Sequence, residues 1–360
     1  MLDIRNGMTL ATRSLVGIGF SHLLAPLACR ERAMVSEADV AGVLGSLAGR
    51  LGAAEVVLLS TCSRLEVYAA SGNPEETLAR ARSWFLERAG AEIAPCLTGR
   101  SGEDALQHLF SVTAGLDSWI IGESEILGQV KRAYETARAA GLTGPVLNRA
   151  FQSAAAAGKA ARAKTGIQHG IHSIGGAAAV LARSIFGESA DGMTVVFGAG
   201  EAAQATVRHL AAKNFSKVLV ANRTVERAEE LAREIGGTGV SLERGLDLLA
   251  SAEIAVFSVS CAAPVLTAGD LRRRVAGRNR PLFLLDLGLP RNIEAECAAL
   301  PGVYLYNLDD LKGVVARSIA GKAGEGEKAA LLVAEAGRAC AAELDKAAAR
   351  REGARQAAAV

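Results

Sequence analysis

Two apolar runs near the N-terminus, 14–20 (SLVGIGF) and 55–60 (EVVLLS), are short, rich in branched side chains and bounded by polar residues or glycine, a pattern that predicts strands. LEVYAA at 65–70 predicts a third. The stretch 36–50 opens on Ser36 and carries Glu37 and Asp39 in its first turn, where carboxylates suit the helix dipole, so it predicts a helix. From about 75 to 187 the pattern is helical, through PEETLARARSWFLERAG, SGEDALQHLFSVTAGLDS, SEILGQVKRAYETARAAG and PVLNRAFQSAAAAGKAARAKTG, each opened by a capping residue or proline and closed near glycine. A further helix, IHSIGGAAAVLARSIFG, has small residues suited to close packing and leads the chain out of this region.

At Gly192 the period changes. TVVFG, KVLVAN, GTGVSL, AEIAVFSVS, PLFLLDLG and GVYLYNL read as strands, with helical stretches at 201–213, 224–235, 243–250 and 267–276. Such alternation implies right-handed parallel crossovers and a doubly wound sheet. The last stretch, 313–360, is rich in Ala, Lys, Arg and Glu, and predicts one long helix from about 325 to 352, either solvated and frayed or docked on a partner. The expected fold is therefore multidomain, α+β followed by α/β. The predicted boundaries are an α+β domain over 1–170, a doubly wound domain over 171–312 and a C-terminal helix over 313–360.

Composition narrows the classes. Half of the 360 residues are apolar, enough for sizeable cores, and 40 basic against 38 acidic side chains exclude a disordered polyelectrolyte or a strongly basic nucleic-acid coat protein. No apolar run approaches the length of a membrane span, and SLVGIGF is too short for a signal-peptide core. Six cysteines (Cys29, Cys62, Cys96, Cys261, Cys297, Cys340) lack any C-x-x-C pair and do not look like a disulfide framework, so a reducing cytoplasm is expected. His22, His169, His172 and His209 have no metal-ligand spacing, and no metal is expected.

Two motifs carry chemistry. Gly198, Gly200 and Ala203 form G-x-G-x-x-A directly after a strand and at the start of a helix. Gly198 permits the tight turn, Gly200 lets backbone approach a pyrophosphate, and Ala203 lets helix and strand pack closely; Ala199, Glu201 and Ala202 complete the loop. After the second strand stand Asn222, Arg223 and Thr224, where an NAD-binding chain would place a carboxylate on the ribose; a guanidinium pairs instead with a 2′-phosphate, which favours NADPH. The second motif is Cys62 in STCSRLE. A cysteine beside a strand is commonly a small buried hydrophobe, but Thr61, Ser63 and Arg64 are polar flanks with a cation, which favour a thiolate. A thiolate with a hydride donor suggests acyl reduction through a thioester, without a metal. The other five cysteines read as packing residues, and His108 in ALQHLFSV, on its neighbours alone, as a core histidine.

From about 16 to 311 these motifs resemble glutamyl-tRNA reductase, on GIGFSHLLAPLACRER, LLSTCSRLEVY, HLFSVTAGLDSWIIGESEILGQVKRAY, GKAARAKTG, FGAGEAA with VANRTVERAEELA, LLDLGLPRNIE and LYNLDDL. The resemblance implies a catalytic, glutamyl-binding N-terminal domain, a Rossmann-type NADPH domain, and a spinal helix leading to a dimerisation domain in a V-shaped homodimer. It implies that Cys62 takes glutamate from glutamyl-tRNA as a thioester, that Arg64 binds the substrate carboxylate, and that His108 is an active-site residue. Thr61, Ser63, Ser118, Glu123, Ser124, Glu125 and Gln129 fall on positions around the glutamyl group. The implied product is glutamate-1-semialdehyde, the first committed intermediate toward tetrapyrroles by this route, with an aminomutase as the partner that would receive it.

The chain departs from that pattern in three places. Ser63 stands for the usual Asn, and Ser124 and Glu125 for Pro-Gln; Glu125 adds a negative charge that is expected to weaken binding unless it pairs with a cation such as Arg64. Only 49 residues follow Leu311, too few for a complete dimerisation domain, which argues against the implied homodimer. Two other readings stand beside the reductase. One is a shikimate-type NADP dehydrogenase, suggested by GAGEAA with ANRT, although a Lys and Asp dyad in the first domain has no convincing match; the other is a non-catalytic or regulatory paralogue.

Overall fold

The three N-terminal runs form one antiparallel sheet in the computed structural model, which describes residues 11–36, 38–123, 125–168, 173–186, 192–213, 215, 217–311 and 323–358. The described chain divides into two compact units, Met1–Gln168 with Lys322–Val360, and His169–Gly321.

The first unit is built from β1 (Leu15–Ser21), α1 (Leu27–Ala33), α2 (Val40–Leu51), β2 (Glu55–Ser60), β3 (Arg64–Ala70), α3 (Pro74–Ala89), β4 (Thr98–Ser101), α4 (Gly102–Ala114), α5 (Glu125–Ala139) and α6 (Pro145–Lys164). Its strand order is β2-β3-β1-β4, and every pairing is antiparallel. β1, β2 and β3 are buried almost throughout, because helices cover both faces; α3 and α4 pack on β1, and α2 and α5 on β2. β4 falls within the stretch whose sequence reads as helical. TGRS has no apolar alternation, and only its backbone pairing with β1, from Val16↔Ser101 to Gly19↔Thr98, makes it an edge strand. Gly19 sits opposite Glu66, and a Cβ there would lie 2.8 Å from the Glu66 Cγ, so the glycine lets β3 carry a large acidic side chain beside β1.

The helix expected over 36–50 begins only at Val40, with no side-chain cap bond at Asp39, whereas the proline-opened α3 forms as expected. Asn73 Oδ1 accepts from the Glu76 N–H (3.3 Å) with Pro74 in the first turn of α3. Buried Glu55 accepts from the Val146 and Leu147 N–H groups (3.2 and 2.6 Å), satisfying two donors at the start of α6. The Ala-rich end is a helix, Ala323–Ala358, lying along α4 and α6. Ala329, Val333, Cys340 and Leu344 join the core of this unit. Gln107 Nε2 donates to the Ala334 carbonyl (3.1 Å), and Asp345 accepts from the Thr12 N–H (2.9 Å). The loosely spaced apolar residues therefore make an intramolecular seam.

The second unit contains α7 (Ile174–Phe186), β5 (Thr194–Phe197), α8 (Glu201–Ala212), β6 (Val218–Asn222), α9 (Val225–Arg233), β7 (Thr238–Ser241), α10 (Leu242–Leu248), β8 (Ile254–Phe257), α11 (Ala268–Arg274), β9 (Leu282–Asp286) and β10 (Val303–Asn307). The sheet is parallel, in the order β10-β9-β8-β5-β6-β7. The order reverses between β8 and β5, as in a doubly wound dinucleotide fold, and the α+β and Rossmann-type classes expected from the sequence are both present. No described helix is long and apolar enough to cross a membrane.

Candidate active site

Cys62 lies at the tip of the β2–β3 hairpin. The Thr61 N–H donates to the Arg64 carbonyl (2.9 Å), and Thr61 Oγ1 accepts from the N–H groups of Ser63 (3.2 Å) and Arg64 (3.1 Å), so one threonine closes the turn that presents the thiol. The Ser63 carbonyl accepts from the His22 N–H (2.7 Å), fastening the turn to the loop after β1.

Period-2 geometry places Arg64, Glu66 and Tyr68 on one face of β3. Arg64, 1% exposed, donates through Nη1 to Glu66 Oε1 (2.8 Å) and Asp117 Oδ2 (2.9 Å), and through Nη2 to the Asp117 carbonyl (2.5 Å). Glu66 also accepts from the Tyr68 hydroxyl (2.7 Å) and lies 3.0 Å from His108 Nε2. Burial alone would raise the Glu66 pKa, but Arg64, His108 and Tyr68 hold it well below the carboxylate range. His108 is therefore the partner of a buried carboxylate, where its apolar neighbours suggested a core residue. Donor atoms of Glu66, His108 and Asp117 converge within 4.8 Å, and the positive charge among them is the Arg64 guanidinium.

Two expectations are corrected here. The cation offered as a partner for Glu125, Arg64, is engaged by Glu66 and Asp117. Nor do the polar flanks of Cys62 produce a low thiol pKa. Cys62 keeps a partly open surface, yet dense packing pushes its thiol up to about 12; the charges of Glu123 and Glu125 add to that, and Arg30 opposes it. A polar sequence environment does not by itself ionise a thiol when two of its neighbours in space are carboxylates.

The remaining predicted residues fall around the same turn. Glu123 is 5% exposed, and burial lifts its carboxyl to about 7 against the pull of Arg64, a hydrogen bond from Ser118 and the charge of Arg162. Its backbone carbonyl accepts from Arg162 Nη2 (2.7 Å). Glu125 and Gln129, one turn apart at the start of α5, are both half-buried. Ser124 lies outside the described residues. Glu66, Asp117, Arg162 and Arg30 were not predicted as site residues. The i, i+2 relation of Arg64 to Glu66 was a usable signal; the others come from distant segments and left none.

In the second unit Gly198 has φ +111°, and a Cβ there would lie 2.1 Å from the Ser258 carbonyl oxygen at the end of β8, so only glycine fits. Among the described residues, nothing beyond its chain neighbours stands within 4 Å of a Cβ built on Gly200, while Ala203 is fully buried, leaving an open backbone approach at the N-terminus of α8. Arg223 is exposed at the end of β6, with Nη2 donating to the Ser260 carbonyl (3.2 Å); Asn222 Oδ1 accepts from the Arg223 N–H (2.9 Å) and Thr224 precedes α9. These residues fit a dinucleotide. A groove of ≈ 1060 Å³ between α6 and the C-terminal helix, lined by Arg149, Gln152, Glu343 and Arg350 among others, includes none of the residues around Cys62, and its volume is no argument for chemistry there.

A glycine turn at the switch of a parallel sheet and a thiol-bearing hairpin on a separate unit define the class as a dinucleotide-dependent oxidoreductase. Residues 18–165 match the family model described as the N-terminal domain of glutamyl-tRNA(Glu) reductase, and residues 180–314 that of shikimate/quinate 5-dehydrogenase. Glutamyl-tRNA reductase of Deinococcus radiodurans is 41% identical over 322 residues, covering 89% of each chain. That of Thermus thermophilus is 43% identical over 89% of this chain and 78% of its own, and that of Syntrophotalea carbinolica 42% identical over 83% and 68%. The solved glutamyl-tRNA reductase of Methanopyrus kandleri is 33% identical, with a TM-score of 0.53, covering 94% of this chain and 82% of its own. The chain belongs to the glutamyl-tRNA reductase family. Since these relatives span both units, the shikimate-type reading is not favoured; that likeness is confined to the nucleotide-binding region.

Proposed function

We propose that the protein reduces the glutamyl group of glutamyl-tRNA to glutamate-1-semialdehyde, using NADPH and a thioester on Cys62, at the first committed step toward tetrapyrroles. The observation that carries this reading is the placement of Cys62 on a turn closed by Thr61, with Glu123, Glu125 and Arg30 as its charged neighbours. The Cys62 sulfur attacks the acyl carbon, and the 3′-terminal ribose oxygen of the tRNA leaves with a proton. Burial, with the charges of Glu123 and Glu125, keeps the resting thiol protonated. An α-ammonium group docked on Glu123 would cancel part of that negative charge, so ionisation of Cys62 is coupled to arrival of substrate. Ser118 orients the Glu123 carboxyl, while Thr61, Ser63 and Gln129 shape the glutamyl pocket. The resemblance gives Arg64 to the side-chain carboxylate of the substrate; Glu66 and Asp117 fix its guanidinium, and Glu66 orients His108.

Gly198, Ala199, Gly200, Glu201, Ala202 and Ala203 would hold the pyrophosphate of the dinucleotide, and Asn222, Arg223 and Thr224 its adenosine end, where a guanidinium in place of a strand-end carboxylate prefers a 2′-phosphate. When bound, the dinucleotide supplies the hydride that converts the thioester to an aldehyde. All six cysteines are free, which agrees with work in a reducing cytoplasm. The family resemblance supports a homodimer and handover of the aldehyde to an aminomutase; sedimentation at several concentrations tests the first, with a monomer at every concentration removing it.

Cys62→Ser, assayed with glutamyl-tRNA and NADPH, is expected to form no semialdehyde while still binding the dinucleotide. Undiminished product would remove Cys62 as the nucleophile.

A further inference from the structure

The positive charge near the nucleophile comes from a segment that carries no assigned role. Arg30, on α1, is 1% exposed, rare for an arginine and a sign that its charge is held for a purpose or by strong partners. Its Nη1 donates to the Cys62 carbonyl (3.0 Å) and its Nε to the Ala25 carbonyl (3.2 Å), so one guanidinium links the tip of the β2–β3 turn to the loop that precedes α1. The plane is further held over Trp119, 5.4 Å from the ring centroid, and Trp119 in turn meets His22 edge-on at 4.8 Å. Glu123 and Glu125 also act on Cys62, and Arg30 is the group whose charge favours the thiolate. Arg64, the nearer cation in sequence, spends its charge on Glu66 and Asp117.

We propose that Arg30 is a positioning residue for the Cys62 nucleophile, tying the catalytic turn in place through the Cys62 carbonyl and holding a fixed positive charge beside the thiolate. The inference rests on the reading of Cys62 as the nucleophile. It assigns opposite duties to two buried arginines: Arg64 fixes a network of acids, and Arg30 offsets the acids that face the thiol. A guanidinium suits the second duty because it stays charged when buried and its planar fork reaches two carbonyls at once.

Labelling of each cysteine by iodoacetamide from about pH 6 to 10, read by peptide mass, reports thiol ionisation without depending on turnover. That range lies below the Cys62 midpoint, where rate follows the thiolate fraction, and in Arg30→Gln the rate of Cys62 labelling is expected to fall roughly tenfold throughout it. Half-buried Cys261, in the other unit, should label as in the parent. Turnover of glutamyl-tRNA should fall by a similar factor with an unchanged KM for NADPH. An unchanged rate of Cys62 labelling in folded Arg30→Gln overturns the proposal. Arg30→Lys keeps the charge but not the fork. Its Cys62 labelling rate should stay within about threefold of the parent while kcat falls several-fold. A labelling rate changed by more than that, or parental kcat, overturns the proposal even if Arg30→Gln does not fold. Full turnover by Cys62→Ser would instead remove the nucleophile reading and leave the labelling result intact, so the two claims fail separately.

Discussion

Glu66 and Glu123 are both buried glutamates within reach of Arg64's charge, yet their environments drive them apart. Glu66 is held ionised by direct bonds from Arg64, Tyr68 and His108, whereas Glu123 has a single hydroxyl and two more distant cations against its burial. The signs of their contributions to stability are therefore opposite. Glu66, with its pKa depressed from 4.5, contributes stability that is present above that pH and lost as pH falls. Glu66→Gln should cost about 3 kcal/mol in urea unfolding at pH 7, and the difference from the parent should shrink in acid. Glu123, raised from 4.5 to about 7, contributes stability present below 4.5 and lost as pH rises toward 7. Glu123→Gln is thus expected to gain on the order of 2 kcal/mol at pH 8 while losing most of its turnover. A parallel loss of stability and activity would show that the carboxylate is a structural requirement.

At the scale of elements, the hairpin and the C-terminal helix show what pattern reading can and cannot resolve. β2 and β3 were legible because branched apolar runs flank a short polar turn, and the β5-turn-α8 unit because its glycines meet steric demands visible in sequence order. β4 was illegible, since an edge strand with no apolar face is specified by its neighbour. The final helix was legible as a helix but not as part of a core. Its small apolar residues face α4 and α6, which the sequence places more than 150 positions away, as the bond from Gln107 to Ala334 illustrates. Val333→Asp should therefore destabilise the first unit by about 3 kcal/mol or more in thermal or urea unfolding. At the end of β6, if NADPH is the cofactor as proposed, Arg223→Asp should shift the KM ratio toward NADH by tenfold or more, with thioester formation unchanged.

For the whole molecule, the two compact units predict separable partial reactions. A Gly198→Val chain, strained at a positive φ and clashing with Ser258, should still form the thioester on Cys62 in a single turnover with labelled glutamyl-tRNA, but release no aldehyde. The sequence by itself determined the doubly wound sheet, the dinucleotide loop, the thiol hairpin and the order of the chain, because each depends on residues close together along it: a period of two or of 3.6, a glycine where the backbone must turn, a guanidinium where a carboxylate would repel. Only the tertiary structure decided which charges meet. It gave Arg64 to Glu66 and Asp117, set Glu123, Glu125 and Arg30 around the thiol, and folded the Ala-rich end into the first core. Coulomb energy and burial depend on distance in space, and segments such as 30, 62, 123 and 333 acquire a distance only when the chain has packed.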